Sequence, residues 1–363
     1  MKIAIFGAGT NGLLFSKGMS GTGRVINAFL DQSSKLSELN GIPVLRVGDI
    51  LKEQDEWQIF CAIFPHSLNK PSNNTHVEPE IKLKQLGFVH IYSFYETLQL
   101  YPEIIKGYFN KNHLWMRPNL KAMVDHEKIA QVRELLNDET SRQLLNCWIL
   151  WRETQSMEYY IAPDDACEYF PNDIEGLFPA DPLRFVDCGA YTGDTIVDLY
   201  GVWKGEIESV VCFEPDLKNL ELLNNTLMRI QTKDKVGYTY PTGVGKTCSV
   251  VSFSGGQGSS STMMMGGEGD LVPVVSIDQT VGLSHPNYIK MDIEGAELEA
   301  LQGAKELIAR EAPSLAICLY HKPADLWEIP LYINSIQPSY KMDIRTHDHL
   351  GLSTVLYCYK TIT

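Results

Sequence analysis

The segment Phe185–Thr195 constrains the fold more than any other part of this chain, because a strand, a glycine turn and the start of a helix follow one another within it. Phe185 suits a buried strand, Gly189 and Gly193 let the backbone bend closely, and apolar residues then recur at helical spacing. In an open α/β sheet, such a turn lies at the carboxyl end of the first strand, where a nucleotide or cofactor binds. The turn alone does not identify the ligand.

A carboxylate stands at the end of the next apolar stretch. Glu214 follows the run Val210–Phe213, roughly 20 residues past the glycine turn, and this is where an acid accepts the hydroxyl groups of an adenosine ribose. The alternative is that Glu214 caps the following helix, a role for which Asp216 is also well placed.

Two further apolar stretches also end in polar residues. Asp292 and Glu294 come after a stretch that begins at Tyr288, and His321 comes directly after Leu315–Tyr320. Strands of this kind, separated by helical stretches, predict an α/β fold with a doubly wound sheet and a single crevice at its carboxyl edge.

The chain resembles the FkbM family of S-adenosylmethionine-dependent methyltransferases over about residues 168–360. The resemblance lies in the motifs FVDCGAYTGDT (185–195), VVCFEPD (210–216), VPVVSIDQ (272–279), IKMDIEGAELEALQGA (289–304) and CLYHKPADLWEIP (318–330). It implies a seven-stranded methyltransferase sheet, Rossmann-like in type, whose last strands include Leu315–Tyr320 and Ser353–Tyr359.

The resemblance also implies S-adenosylmethionine as the cofactor and assigns residues to it. The strand end and the turn would hold the cofactor through Asp187, Gly189, Ala190, Gly193, Asp194 and Thr195. Glu214 would take the ribose, and Asp292 and Glu294 would face the sulfonium and the methyl acceptor. Backbone N–H groups suit the carboxylate of such a cofactor, and acidic side chains suit its ammonium and sulfonium.

Methyl transfer to a hydroxyl requires positioning of the acceptor and, for some acceptors, removal of a proton. His321 is the predicted base, because it ends a strand and titrates near neutrality. The alternatives are that His321 binds a carboxylate such as Asp325 or only orients substrate, and Asp292 is the rival base. Asp292 and Glu294 could hold a divalent cation, but no third ligand is evident in the sequence, so no metal site is predicted.

The amino-terminal segment carries a second glycine turn. Lys2–Gly12 places Gly7, Gly9 and Gly12 in G-x-G-x-x-G spacing, and a second apolar stretch ends at Asp31. Strand, glycine turn, helix, strand and acid form the dinucleotide-binding arrangement. Residues 7, 9, 12 and 31 are therefore candidates for binding a nucleotide.

This amino-terminal fingerprint is not read as a redox site. Asn40–Val44 resembles the amino-terminal domains of sugar acyltransferases and other nucleotide-sugar enzymes, which keep this half-fold without redox chemistry. We predict three parts: a Rossmann-like accessory domain over 1–100 that binds a nucleotide or a substrate handle, a helical connector over 101–167, and a methyltransferase domain over 168–363. A purely structural role for the first domain is the alternative.

Composition excludes some partners. The net charge is −14 without a clustered Lys/Arg stripe, which argues against a nucleic-acid substrate. No stretch approaches the roughly 18 apolar residues that span a bilayer, so no membrane partner is expected. The eight cysteines form no C-x-x-C pair, which predicts reduced thiols and a cytoplasmic protein. The apolar patch within 144–151 is expected to pack between the domains or to form a homodimer surface.

The predicted function is an S-adenosylmethionine-dependent O-methyltransferase acting on a hydroxyl of a small molecule, such as a sugar, nucleotide sugar or glycan precursor. Oxygen is preferred to nitrogen as the acceptor because KMDIEG stands where nucleic-acid methyltransferases often carry an Asn/Asp-Pro-Pro-aromatic turn. The alternatives are an NAD(P)-dependent oxidoreductase acting on a nucleotide sugar through the amino-terminal domain, and a non-catalytic nucleotide-binding module.

Overall fold

The computed structural model describes residues 1–63, 79–109, 116, 120–179, 182–230, 236–254, 262–264, 270–282 and 284–360. The chain divides into two compact units. The first takes in most of residues 1–122 together with 147–162, and the second takes in 123–146 and 163–363. Helices of the predicted connector therefore fall in both units, and the domain limits 1–100, 101–167 and 168–363 stay a prediction.

The amino-terminal unit is built on a six-stranded sheet of the Rossmann type, as predicted. Its strands are β1 (Lys2–Phe6), β2 (Ala28–Leu30), β3 (Glu38–Leu39), β4 (Ile42–Leu45), β5 (Trp57–Cys61) and β6 (His90–Tyr92). They lie in the order β3-β4-β2-β1-β5-β6, and all neighbours are parallel except β3 and β4. The central strands are short and apolar because both faces of a parallel sheet are buried.

Six α-helices lie between residues 10 and 154 of the described chain. They are α1 (Thr10–Ser20), α2 (Pro79–Gln85), α3 (Phe94–Leu100), α4 (Glu103–Phe109), α5 (His126–Leu135) and α6 (Glu139–Thr154). Helix α3 begins with a capping box, in which Ser93 accepts the N–H of Glu96 and Glu96 accepts the N–H of Ser93. Helix α5 begins at a simpler cap, the carboxylate of Asp125.

The carboxyl-terminal unit contains a seven-stranded sheet, which confirms the predicted fold class. In chain order its part of the chain forms β7 (Leu183–Cys188), α7 (Asp194–Val202), β8 (Ile207–Phe213), α8 (Leu217–Ile230), β9 (Val236–Tyr240), β10 (Gly243–Val244), β11 (Ser249–Ser254), β12 (Thr262–Met264), β13 (Asp270–Val275), α9 (Ile277–Thr280), β14 (Tyr288–Met291), α10 (Glu297–Gln302), α11 (Lys305–Glu311), β15 (Ser314–Cys318), α12 (Asp325–Ile336), β16 (Lys341–Thr346) and β17 (Thr354–Tyr359).

The order of the strands determines where a ligand can bind. The large sheet runs β16-β17-β15-β14-β7-β8-β9, and only β17 is antiparallel to its neighbours. The chain leaves β7 toward β8 on one side and returns to β14 on the other, so the switch point lies at the carboxyl end of β7. Strands β10 to β13 form a separate four-stranded sheet in the order β10-β13-β11-β12.

The register of the three central strands places their polar ends side by side. Cys188, the last residue of β7, pairs with Phe213 of β8 and with Met291 of β14. The glycine turn, Glu214 and Asp292 each start one residue beyond these partners. The sheet therefore gathers the predicted site residues at one edge.

Gly189 is required by the packing of the chain itself. Its φ is +80°, and a Cβ built on it would lie 1.9 Å from the carbonyl oxygen of Asp292. The sequence suggested that this glycine makes room for a ligand, whereas the structure shows that it first makes room for the loop after β14. Gly193, with φ of +87°, likewise packs against Leu223 and Thr226 of α8.

Two further observations concern the cysteines and the possibility of a membrane-spanning helix. All eight cysteines are free, and five of them are buried. Among the residues that the structure describes, no helix has the length and apolar character needed to cross a bilayer.

We predict that Gly189→Ala lowers the free energy of unfolding by about 2 kcal/mol or more, because an L-residue must adopt the left-handed conformation and also displace the Asp292 backbone. Chemical denaturation followed by circular dichroism measures it. Gly48→Ala is the matched control, since Gly48 has no positive φ and nothing lies within 4 Å of an added Cβ. Equal stability of the two variants would contradict the prediction.

Candidate active site

The turn after β7 presents backbone rather than side chains. The N–H groups of Gly189 and Ala190 donate to the carbonyl of Phe213, which fastens the turn to β8. The side chains of Ala190 and Thr195 are buried, so these two predicted residues face a ligand only through their backbone. No side chain caps the N-terminus of α7, where Gly193 is the N-cap residue.

Glu214 joins the turn to its own strand end. Its Oε2 accepts the N–H of Tyr191 at 2.9 Å, and its Oε1 accepts the N–H of Asp216 at 2.8 Å. Burial raises the pKa of this carboxyl, although the two N–H donors act in the opposite direction. The helix-capping alternative is not what the structure shows, because Asp216 accepts the N–H groups of Lys218 and Asn219 at the start of α8.

Asp187, at the end of β7, is a buried residue that contacts the neighbouring strand. Its side chain is fully buried, and its Oδ1 is 3.0 Å from Nζ of Lys290 on the neighbouring strand. The same Nζ donates to the carbonyl of Gly189 at 2.7 Å and lies 4.9 Å from the ring centre of Tyr169. Asp187 thus supports the turn through Lys290, and the cofactor role that the resemblance implies for it stays a prediction.

Lys290 is a residue that the sequence reasoning did not single out. Burial disfavours its charge, but the carboxylates of Asp187 and Asp292 raise the pKa of the ammonium group, so Lys290 stays protonated. The signal was present in the motif IKMDIEG, because a lysine inside an otherwise apolar strand requires a buried partner.

The three predicted catalytic residues lie together. Nε2 of His321 is 3.4 Å from Oδ1 of Asp292 and 3.6 Å from Oε2 of Glu294. A fourth residue, Glu297, belongs to the same cluster, since its Oε1 is 2.9 Å from Nδ1 of His321. Asp292 and Glu294 are partly exposed, with 23% and 28% of their side-chain surface accessible, whereas His321 and Glu297 are almost fully buried.

Asp292 is held by two phenol groups. The hydroxyl of Tyr169 donates to Oδ2 at 2.8 Å, and the hydroxyl of Tyr320 donates to Oδ1 at 3.0 Å. Burial raises the pKa of both tyrosines well above their ordinary value, which keeps them as donors. The carboxylate therefore has one defined orientation toward the crevice.

The environment of His321 bears on its predicted role as a base. Burial disfavours the charged ring, but the surrounding carboxylates raise the pKa of His321 to about 9. An imidazolium has no lone pair to accept a proton, so this environment does not favour proton removal by His321, and the role stays a prediction. Burial also raises the pKa of Glu294 to about 7.

The sequence-based alternative paired His321 with Asp325. In the structure, Oδ2 of Asp325 accepts the backbone N–H of Lys322 at 2.7 Å, and the carboxylates beside the ring are those of Asp292, Glu294 and Glu297. The sequence analysis did not identify Glu297, because an acid in the first turn of a helix is common and gives no sign of a further role. Its Oε1 does accept the N–H of Ile293 at 2.9 Å and shapes the preceding turn.

A cavity of about 410 Å³ lies at the glycine turn of the amino-terminal unit. It is lined by all four predicted nucleotide-binding residues, namely Gly7, Gly9, Gly12 and Asp31. Gly12 is required by packing, since a Cβ there would lie 2.0 Å from the carbonyl oxygen of Gly7. Gly9 is not, because nothing lies within 4 Å of its Cβ position.

Asp31 occupies the same place in its unit as Glu214 does in the other. Its Oδ2 accepts the N–H of Ala8 in the glycine turn, and its Oδ1 accepts the N–H groups of Ser33 and Ser34. Partial burial favours the neutral acid, but these N–H donors hold the pKa of Asp31 below its usual value.

Comparison with protein families decides the class of the carboxyl-terminal unit. Residues 187–344 match the model of the methyltransferase FkbM domain. This chain carries a methyltransferase FkbM domain. The predicted resemblance is confirmed over this segment, and the match supports a methyltransferase.

Solved structures agree on the fold. The chain is similar to the crystal structure of methyltransferase FkbM from Methylobacillus flagellatus KT, with 24% identity and a TM-score of 0.64 over 99% of this chain and 90% of that chain. It also matches an rRNA methylase from Streptococcus thermophilus at 14% identity and a TM-score of 0.32, over 50% of this chain and 89% of that one. That second likeness is too weak to carry an argument. No curated protein matches the chain.

We predict that Lys290→Met destabilises the FkbM domain by about 3–5 kcal/mol, because it leaves the buried carboxylate of Asp187 without its cation. The double variant Asp187→Leu/Lys290→Met should lose much less than the sum of the two single variants. Chemical denaturation of the four proteins in a double-mutant cycle measures the coupling. Additive effects of the two substitutions would contradict the prediction.

Proposed function

We propose that this methyltransferase uses S-adenosylmethionine to methylate a hydroxyl group of a small molecule, with a sugar, nucleotide sugar or glycan precursor as the acceptor class. The observation that carries the proposal is the joint position, at one edge of one sheet, of an uncapped helix start, a ribose-type acid and a cluster of carboxylates.

The methyl donor, S-adenosylmethionine, fits the part of this edge formed by the start of α7 and Glu214. The free N–H groups at the start of α7 suit the carboxylate of the methionine portion. Oε2 of Glu214 accepts one N–H, from Tyr191, and keeps acceptor capacity for a ribose hydroxyl, whereas Oε1 accepts the N–H of Asp216 and, at 3.5 Å, the side-chain amide of Asn219. A sulfonium is a permanent cation, and Asp292 and Glu294 supply partly exposed negative charge beside it.

The methyl acceptor fits the part of this edge formed by Asp292 and Glu294. The two phenol donors fix the orientation of Asp292, so this carboxylate can hold an acceptor hydroxyl in line with the methyl group. Glu294 has a left-handed backbone, with φ of +55°, a strained conformation of the kind that is retained at functional sites. We assign catalytic roles to Asp292, Glu294 and His321 together. The net charge of −14 supports a small hydroxylated acceptor over a nucleic acid.

We predict that Glu214→Ala weakens binding of S-adenosylhomocysteine by roughly 10- to 100-fold, because the ribose hydroxyls lose a charged acceptor worth about 1.5–3 kcal/mol. Isothermal titration calorimetry on the folded protein measures the affinity. Glu208→Gln is the matched control, since Glu208 lies on the same strand with its side chain 54% exposed. Unchanged affinity in Glu214→Ala would remove Glu214 from the site.

The same titration tests the proposed function as a whole. S-adenosylhomocysteine should bind and raise the melting temperature by mass action, and labelled methyl transfer to a panel of sugars and nucleotide sugars should then identify the acceptor. Stabilisation by NADH without any response to S-adenosylhomocysteine would favour the oxidoreductase alternative. Binding of the donor product without transfer to any acceptor class would favour the binding module.

A second candidate function belongs to the amino-terminal unit, for which we propose binding of a nucleotide or of a nucleotide-bearing substrate handle. Gly9 supports this proposal, because neither its backbone nor its packing requires a glycine, while its missing side chain keeps the cavity open beside the start of α1. The carboxylate of Asp31 stands across the same cavity.

We predict that Gly9→Val leaves the melting temperature within about 2 °C of the parent but abolishes stabilisation by a panel of nucleotides and nucleotide sugars, because the new side chain fills the cavity. Differential scanning fluorimetry measures both effects. Gly12→Ala is the contrasting variant and should unfold at lower temperature, since its Cβ meets backbone. A parent protein that no nucleotide stabilises would leave the unit with its purely structural alternative.

A further inference from the structure

We propose that Asp292, Glu297 and His321 form a binding site for one divalent metal ion. The three residues come from the loop after β14, the first turn of α10 and the segment after β15. Each offers one ligand atom, and these three atoms lie within 4.8 Å of one another. A nitrogen and two carboxylate oxygens are ligands that first-row divalent ions accept.

The imidazole of His321 gives a second observation that points to a ligand. Only 3% of its side chain is exposed, and neither ring nitrogen makes a hydrogen bond among the described residues, although carboxylate oxygens lie 2.9 Å and 3.4 Å away. Oε2 of Glu297 is likewise buried without a hydrogen bond. One ion binds only one of the two ring nitrogens, and the three ligand atoms lie within 4.8 Å of one another, so a bound ion at about 2.1 Å from each would draw them closer together.

The charge of the cluster also calls for a cation. One imidazole faces the carboxylates of Asp292, Glu294 and Glu297, and Asp325 stands close enough to interact with both His321 and Glu297. Lys290 is already committed to Asp187 and the Gly189 carbonyl. Several carboxyl groups therefore surround one imidazole, and a divalent ion would balance part of their charge.

Contacts outside the three residues hold them in place, as outer-shell partners do around metal sites. Tyr169 and Tyr320 donate to Asp292, and the N–H of Ile293 donates to Glu297. The partly exposed side of Asp292 leaves an approach for the ion and for a substrate oxygen. A mixed nitrogen and oxygen set favours Mn²⁺, Fe²⁺ or Zn²⁺ over Ca²⁺, which takes six to eight oxygens.

A bound ion would polarise an acceptor hydroxyl and lower the pKa of that hydroxyl. The binding itself does not depend on the proposed methyl transfer, so it can be tested without donor or acceptor. The test uses the full chain, treated with a chelator, dialysed and titrated with Mn²⁺ alone by calorimetry, with electron paramagnetic resonance to count bound ions.

We expect one Mn²⁺ per chain in the parent protein. His321→Ala and Glu297→Gln should each weaken the affinity at least about tenfold, because each removes a ligand. Glu299→Gln is the matched control on the same helix, with a side chain that is 54% exposed and paired only loosely with Lys322 at 3.9 Å, and it should bind as the parent does.

Circular dichroism of each variant separates loss of the site from loss of the fold. If His321→Ala fails to fold, the folded Glu297→Gln and Asp292→Asn variants carry the comparison. The proposal is overturned if the parent shows no saturable Mn²⁺ binding at millimolar concentration, or if folded ligand variants bind as tightly as Glu299→Gln. Absence of Mn²⁺ binding together with normal S-adenosylhomocysteine binding would overturn this site alone and leave the proposed function standing.

Discussion

The buried ion pair between Lys290 and Asp187 is the interaction on which the rest of the site depends. It joins β14 to β7, and the same ammonium group also holds the carbonyl of Gly189 at the start of the turn. Because Asp292 follows Lys290 by two residues, the pair determines how far the acid cluster stands from the turn. A buried pair contributes little net stability but makes loss of either partner costly, so its main effect is to specify one geometry.

Both units use an acid at the end of the second strand to fasten the glycine turn. Glu214 accepts N–H groups from the turn and from its own following loop, and Asp31 does the same in the amino-terminal unit. The shared geometry follows from parallel neighbouring strands, whose loops meet at one edge. For the same reason, strand, glycine turn and acid cannot distinguish one adenosine-containing cofactor from another, and the residues beyond the turn must do so.

Local patterns were sufficient to predict the fold class, the two Rossmann-like parts and the placement of Asp292, Glu294 and His321 at the ends of strands. Each of these depends on strand ends and turns, which a short sequence window reveals. The partners that fix the cluster could not be predicted in this way. Tyr169 reaches Asp292 across 123 residues of chain, and Glu297 is recognised only once the segment after β15 folds over α10. The sequence analysis explained Gly189 by the approach of a ligand, but the packing of the Asp292 backbone already requires a glycine there.

The charge of the cluster links the proposed donor to the proposed metal site. The carboxylates of Asp292, Glu294, Glu297 and Asp325 would repel one another if all were ionised with a single imidazolium among them. Burial, together with the charge of neighbouring carboxylates, raises the pKa of both Glu294 and Asp325 to about 7. A divalent ion and a sulfonium together carry one charge fewer than four ionised carboxylates. The cluster can therefore accept both cations without becoming positive, and each would favour the ionised carboxylates that bind the other. Binding of Mn²⁺ and of a sulfonium donor is thus expected to be compatible rather than competitive.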